Sequence, residues 1–320
     1  MRVGHNPARF VEKVAQPAGI TVAVVNCIPF LGGYYEQSLD VLKVVIESLD
    51  ATREREHPYD VMVFDNHSCA EVRAYLQEAY VKGNIQYLVL SDTNIGKIGA
   101  WNFMFGAAQG EYIVFSDGDV AYRKGWLTAS LRLFDAFPNV GMVTARPLPV
   151  PLEYSTATLE WAQKEPSCIL EVGQILPQKI YSEHARSLGL VEGTDNPNEY
   201  ASIDMHRLKY SGVSAFIGAS HFQFTARADV LRKIIPLPSN QPMRGERTLD
   251  IAINKIGLLR LMTEEALVWH MGNRFSSEEQ IPGSIQRKSL LRKILWLPGV
   301  RNILLWLNNQ IFKLYFYNVE

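Results

Sequence analysis

The sequence predicts an α/β protein built on a mostly parallel sheet, and three features carry that expectation. Thr21-Val22-Ala23-Val24-Val25 is an uninterrupted β-branched run of the kind covered on both faces. Leu39, Val41, Leu42, Val44, Val45, Ile46 and Leu49 follow at helical spacing, and a helix after such a strand implies a right-handed crossover to a parallel neighbour. The third feature is the apolar strand Tyr112-Ile113-Val114-Phe115, which runs into Ser116-Asp117-Gly118-Asp119. Two carboxylates therefore stand one residue apart where a buried strand ends and water begins.

The remaining elements follow in order. A loop with Gly32 and Gly33 separates the first strand from its helix, and a second strand, Val61-Met62-Val63-Phe64, ends in Asp65-Asn66-His67-Ser68. A helix around Ala70 to Val81 and a strand Ile85 to Leu90 come next, then a small-residue helix that starts near Asn94-Ile95-Gly96-Lys97 and ends at Gly110. After Gly141-Met142-Val143-Thr144-Ala145, the prolines 147, 149 and 151 mark a boundary near residue 146. Residues 151–213 read as a long irregular insertion whose aromatics, Tyr154, Trp161, Tyr181 and Tyr200, form either a binding wall or a satellite core. Regular structure returns at Ala215 to Ser220 and Phe222 to Thr225; Arg244 to Asp250 opens a helix that runs to Gly257, and Ala266 to Trp269 is a short strand before His270.

Composition sets outer bounds. With 320 residues, 47% of them hydrophobic and 20% charged, the chain sustains a large core and is not a disordered protein. A net charge of -1 gives no general attraction to nucleic acid, so a polyanion must be held by a local site. Cys27, Cys69 and Cys168 are odd in number and lack Cys-x-x-Cys spacing, which argues against a disulfide framework or zinc cluster and fits a reducing cytoplasm. The first residues hold Arg2, His5, Arg9 and Lys13 without an apolar run, so neither a secretory signal nor a membrane span is expected there. Residues 281–319 interleave Arg287, Lys288, Arg292, Lys293, Arg301 and Lys313 with apolar clusters, and Pro298-Gly299 divides them. Packing on the enzyme, homo-oligomerisation and peripheral contact with an anionic inner membrane face are the open readings of that basic amphipathic extension.

The acid pair has its own chemistry. Ligands of open α/β sheets bind outside the carboxyl ends of the strands, and hard cations such as Mg²⁺ and Mn²⁺ prefer carboxylate oxygens. Asp117 and Asp119 thus suggest a divalent cation bridging protein and diphosphate, the competing reading being a plain Asp-Gly turn.

Taken together, Asn94-x-Gly96, small residues, Asn102, a helix, Gly110-Glu111-Tyr112, an apolar strand and Asp117-x-Asp119 resemble the nucleotide-sugar half of a family 2 glycosyltransferase of the GT-A fold. The Asp65-Asn66-His67-Ser68 element resembles that family's strand-end motif, and the likeness covers roughly residues 19–273. It implies a Rossmann-like GT-A sheet with a tail over 1–18, a nucleotide-sugar-binding half over 19–146, an acceptor-binding half over 147–275 and a helical extension over 276–320. It further implies inverting transfer from a nucleoside diphosphate sugar to a hydroxyl acceptor on a glycan or glycolipid, with a UDP-sugar as donor and GDP or dTDP as alternatives. On this resemblance Asp117, Asp119 and His270 are the metal ligands, Mn²⁺ or Mg²⁺ being the ion. Val25, Asn26, Asp65, Asn94, Gly96, Lys97, Asn102, Asp117 and Gly118 make the donor site, where Asp65 reads the base and Lys97 meets phosphate.

The base that takes the acceptor's proton corresponds to an acidic residue at the head of the helix before Gly257. Here the motif is degenerate: counting back from Gly257 reaches Glu246, and Asp250 lies one turn later on the same face. Both stay open as candidates, as does a capping role for Glu246. Rival functions are a phosphohydrolase of the haloacid dehalogenase type, a nucleotidyltransferase using the same metal pair, and a non-catalytic nucleotide-sugar-binding protein. The position of Asp117, more than a hundred residues into the chain, counts against the first.

Overall fold

The computed structural model describes residues 4–11, 13–188, 203–240, 245–274, 306–307 and 310. The chain forms two compact units, Met1–Phe275 and Ser276–Glu320, and most of the basic extension lies outside the described residues. Among the described residues no helix is long and apolar enough to cross a membrane.

The first unit alternates strands and helices from its start. The strand β1 (Ile20–Asn26) leads to α1 (Ser38–Ala51), β2 (Tyr59–Asn66), α2 (Ala70–Val81), β3 (Tyr87–Ser91), α3 (Gly96–Ala107) and β4 (Tyr112–Asp117). Every residue of β1 is buried, as its β-branched run requires, and α1 lays Val41, Leu42, Val45, Ile46 and Leu49 on the sheet. On the other face, α3 packs Trp101 and Phe105 against Phe115 of β4, the Trp101 and Phe115 ring centroids being 5.0 Å apart. Gly110 makes the turn into β4 at φ 99°, where a Cβ would come within 2.7 Å of the Gly19 backbone. Only glycine fits both demands.

The chain continues through β5 (Val120–Tyr122), α4 (Trp126–Ala136), β6 (Val140–Thr144), α5 (Thr156–Lys164), β7 (Ile169–Gly173), α6 (Gln178–Ser187), β8 (Met205–Tyr210) and β9 (Val213–Ile217). It closes with β10 (Gln223–Arg227), α7 (Ala228–Ile234), α8 (Arg247–Lys255), β11 (Leu259–Met262) and β12 (Val268–His270). Ten strands make one sheet in the order β3-β2-β1-β4-β10-β6-β11-β9-β8-β7, and β5 pairs with β12 in a second. Strands β1 to β4 are parallel, β10 runs antiparallel between β4 and β6, and β11 is again parallel to β6. From β3 to β11 the sheet is therefore parallel apart from the reversed β10, an α/β architecture of the expected class, and beyond β11 the strands β9, β8 and β7 pair antiparallel. The sheet passes residue 146 without a break.

The insertion between 151 and 213 is more regular than the sequence suggests. It contributes α5, α6 and the antiparallel strands β7 and β8, which extend the sheet edge through β9. Trp161 packs against Phe137 and Tyr210 at centroid distances of 5.9 and 5.2 Å, so this aromatic belongs to a satellite core. Tyr200 lies outside the described residues.

Candidate active site

Register gathers the site. Asn26 of β1 is level with Asp65 of β2, and Val25 is level with Asp117 of β4, so three polar strand ends open along one edge. The turn after β4 presses on β1: a Cβ on Gly118 would sit 3.0 Å from the Val25 carbonyl oxygen and 3.2 Å from Asn26 Oδ1. Glycine here lets the acid pair lie directly on the first strand.

The Asp65 carboxylate is fully buried and already engaged. It accepts from Arg73 Nε at 3.0 Å and from the Ser68 backbone N–H at 3.2 Å, and Asn26 Nδ2 lies 3.4 Å away. Asn26 also donates to Ser68 Oγ at 2.9 Å. Asn94 turns inward, accepting from Gly96 N–H and Asn66 Nδ2 at 2.9 Å each, while Gly96 takes φ 73° at the head of α3. Asn102 is committed elsewhere, and that corrects its expected place at the nucleotide. Its side chain donates to Leu237 O and accepts from Leu237 N–H, both at 2.8 Å, because it faces the chain after α7 rather than the strand ends.

Lys97 and Asp117 form an ion pair of 2.7 Å. The ammonium also lies 5.6 and 5.4 Å from the Trp101 and Phe115 ring centroids. Burial raises the Asp117 pKa above the usual carboxylate range, and Lys97 opposes that shift. Asp117 is thus neutralised from within the protein.

Asp119 is different. Its Oδ1 is buried without a partner, its Oδ2 stands 3.3 Å from His270 Nε2, and burial pushes its pKa up to about 6. The pairing of β12 with β5 puts His270 opposite Val120, and the Met271 N–H bonds Asp119 O at 2.8 Å. The imidazole is oriented from behind, since Ser187 Oγ donates to His184 O at 2.7 Å and lies 2.9 Å from His270 Nδ1. With the serine proton spent, His270 Nδ1–H is the donor and its Nε2 lone pair faces Asp119. Burial lowers the His270 pKa, so a lone pair and a carboxylate meet with a cation as the natural partner between them.

The donor set is smaller than expected. Among the described residues no three His, Cys, Asp or Glu side chains gather for a metal ion, because Asp117 is held by Lys97. Asp119 and His270 fit a divalent cation as two protein ligands, with the orphaned Asp119 Oδ1 as the observation that favours it.

Sequence reading missed the buttress of this centre. Arg146, with no exposed surface, donates to Val268 O at 3.1 Å and to Ile180 O at 2.6 Å and lies 3.3 Å from Glu183. It joins β12, which bears His270, to α6, which bears Ser187. Burial and the neighbouring His270 push the His184 pKa down to about 4 beside it. A charged residue before a proline-rich stretch was the available signal.

On the other side of the reversed strand, Asp250 is 4% exposed and bonded to Arg260 Nη2 at 2.6 Å. Its second oxygen lies 3.4 Å from His221 Nδ1. Asp250 thus has both oxygens engaged, one by a buried guanidinium and one facing an imidazole. Glu246 stands at the N-cap of α8, and its carboxylate has no hydrogen-bond or ion-pair partner among the described residues. Gly245 reaches α3, an added Cβ lying 3.6 Å from Ile98 Cγ1, so the head of α8 and the head of α3 are neighbours.

Residues 34–182 match the family model described as glycosyl transferase family 2. This stretch, from the turn before α1 into α6, is similar to a family 2 glycosyltransferase. Its fold is shared with GalNAc-T7, solved with UDP, GalNAc and Mn²⁺, at a TM-score of 0.50 and 10% identity over 87% of this chain and 48% of that one. The mannosyltransferase PcManGT from Pyrobaculum calidifontis, solved with GDP-Man and Mn²⁺, is similar at 0.45 and 15% identity over 81% of this chain and 60% of its own. The 1–349 structure of S. aureus TarS is similar at 0.45 and 15% identity, over 78% and 59%. The chain spans 60% or less of the length of each of these three structures. No curated protein matches it. Asp117 ends β4, Asp119 follows two residues later and His270 ends β12, and open α/β sheets bind ligands outside the carboxyl ends of their strands.

Proposed function

We propose that the protein transfers a sugar, with inversion, from a nucleoside diphosphate sugar to a hydroxyl acceptor, and that the transfer depends on a divalent cation. The observation that carries this reading is Asp119 at the strand ends, whose Oδ1 is buried without a hydrogen-bond partner and whose Oδ2 lies 3.3 Å from His270 Nε2. Neighbours of the fold are solved with GDP-Man or UDP and with Mn²⁺, which supports a nucleotide-sugar donor and a cation of this kind.

When bound, the cation supplies Lewis-acid stabilisation of the charge that grows on the leaving diphosphate. Asp119 and His270 would hold it. Lys97, at the head of α3, reaches the same space and adds a fixed positive charge, shared between Asp117 and phosphate oxygen. Val25, Asn26, Asn94 and Gly96 line the donor edge, and Asp65 supports the base through the Arg73 and Ser68 network. On the acceptor side a base must take the hydroxyl proton. Of the two carboxylates that the resemblance implies, Arg260 holds Asp250, which leaves Glu246 as the carboxylate able to meet the acceptor.

The test is thermal stability against UDP, GDP, dTDP and CDP, with and without Mn²⁺. Ligand at 100 times its dissociation constant stabilises by about 2.7 kcal/mol. A Mn²⁺-dependent gain with one nucleotide that disappears in Asp119→Ala supports the reading. No gain with any nucleotide sinks it.

A further inference from the structure

Three residues, on β11, on α8 and in the turn before β10, form a relay on the acceptor side. Arg260 on β11, 1% exposed, donates to Ala219 O at 2.7 Å and to Asp250 Oδ1 at 2.6 Å, and also bonds the Tyr154 carbonyl oxygen. Asp250 on α8 turns its other oxygen to His221 Nδ1, 3.4 Å away. The His221 side chain is 38% exposed while the two groups behind it are buried. Arginine, carboxylate and imidazole therefore run from the core to the surface in one line.

That line ends beside the donor site. His221 begins the turn whose next residue, Phe222, accepts the Asp117 backbone N–H at 2.8 Å and places its ring 5.6 Å from that of His270. Ser220, on its other side, is pinned by a 2.8 Å bond from its N–H to Thr144 Oγ1. The backbone that carries His221 is thus fixed from both sides at the carboxyl ends of β4 and β6. Asp250 favours the tautomer with the proton on Nδ1, which leaves the Nε2 lone pair as the basic atom. An imidazole is also a stronger base than a carboxylate by about two pKa units, and it needs no raised pKa to work near neutral pH.

We propose that His221 is the base that takes the acceptor's proton, with Asp250 and Arg260 as its positioning residues, and that Glu246 binds the acceptor without accepting its proton. This rests on the glycosyl-transfer reading. In the step, the acceptor oxygen forms its bond to the sugar C1 while the bond from C1 to the diphosphate oxygen breaks and its electron pair leaves with the diphosphate. The hydroxyl proton moves to His221 Nε2. Asp250 stabilises the imidazolium, which returns the proton to water. The charged and titratable groups around it are Asp250 and Arg260 behind, Asp117 with Lys97 on the β4 side, and His184 and His270 across Phe222.

The experiment combines kinetics with a structural readout. Transfer is followed as nucleoside diphosphate release from UDP-glucose, UDP-N-acetylglucosamine, UDP-N-acetylgalactosamine and GDP-mannose with Mn²⁺ and simple glycoside acceptors. His221→Gln is expected to lower kcat by about 10²- to 10⁴-fold and to keep the stabilisation by nucleotide and Mn²⁺, which also shows that it folds. Added imidazole should partly restore transfer in His221→Gly. Nitrogen NMR of the metal-free protein should show the Nδ1–H tautomer of His221, lost in Asp250→Asn. Full activity in His221→Gln, or a loss of kcat at unchanged acceptor KM in Glu246→Gln, overturns the assignment while leaving glycosyl transfer intact. A protein that binds none of the nucleotides overturns both.

Discussion

Ser187 Oγ lies 2.9 Å from His270 Nδ1, and the serine's own proton is committed to the His184 carbonyl. One hydroxyl on α6 thereby sets which nitrogen of a histidine on β12 is free. Removing such an orienting partner usually weakens metal binding about 10- to 100-fold. Ser187→Ala is therefore expected to weaken Mn²⁺ binding by that factor in the presence of nucleotide, read by calorimetry, with little change in fold. Unchanged Mn²⁺ affinity would remove His270 from the ligand set.

The Lys97 and Asp117 pair is partly covered, and removing the lysine leaves the carboxylate without its cation. Lys97→Ala should cost about 1 to 3 kcal/mol in urea unfolding. Adding Asp117→Asn to that variant should recover part of the loss. A purely additive double variant would show that the two side chains do not interact.

Arg260 and Asp250 are the deeper pair, and removing either leaves the other's charge buried. Arg260→Leu is expected to destabilise by about 3 to 5 kcal/mol, whereas the double change to leucine at both positions restores much of it. Equilibrium denaturation of the three variants decides the point. The double variant should still lack normal transfer, since stability and the orientation of His221 are separate properties.

Cys27 follows β1 at the donor edge, and burial, with Asp65 nearby, pushes its thiol up to about 11. A raised thiol pKa favours the neutral form, and only the thiolate attacks alkylating agents. At pH 8 about one molecule in a thousand carries the thiolate, so iodoacetamide should label Cys27 slowly there. Its labelling rate should climb through pH 10 to 11. Rapid labelling at pH 8, read by peptide mass spectrometry, would show that the thiol is exposed to solvent.

Much of the donor half was legible because period and punctuation coincide there. The β-branched run of β1, the helical spacing of α1 and the turn at Gly118 each follow from local chemistry, and the sheet register then brings Asn26, Asp65 and Asp117 together. Other parts required the third dimension. Asn102 sits in a motif that points to the nucleotide, yet its amide is used by Leu237, 135 residues away in sequence. The strand β5 is only three residues long and is defined by its partner β12 rather than by any period of its own. Asp250 and Glu246 look alike as acidic residues on one helix, and only the approach of Arg260 separates them. His221 carried no signal at all until that approach was known.

The reversed strand β10 has a consequence for how the molecule is made. It is the partner of β4 along the whole stretch from Tyr112 to Ser116, but it arrives more than a hundred residues later in the chain. Until Gln223 to Arg227 leave the ribosome, the strand that bears the acid pair has a bare edge with unpaired amides and carbonyls, the kind of surface that seeds aggregation. A fragment cut at residue 182, where the family match ends, would keep that bare edge permanently. The strand that ends in the acid pair is thus finished by sequence outside the matched segment, and the nascent chain must shield Phe115 and its neighbours while more than a hundred further residues are made.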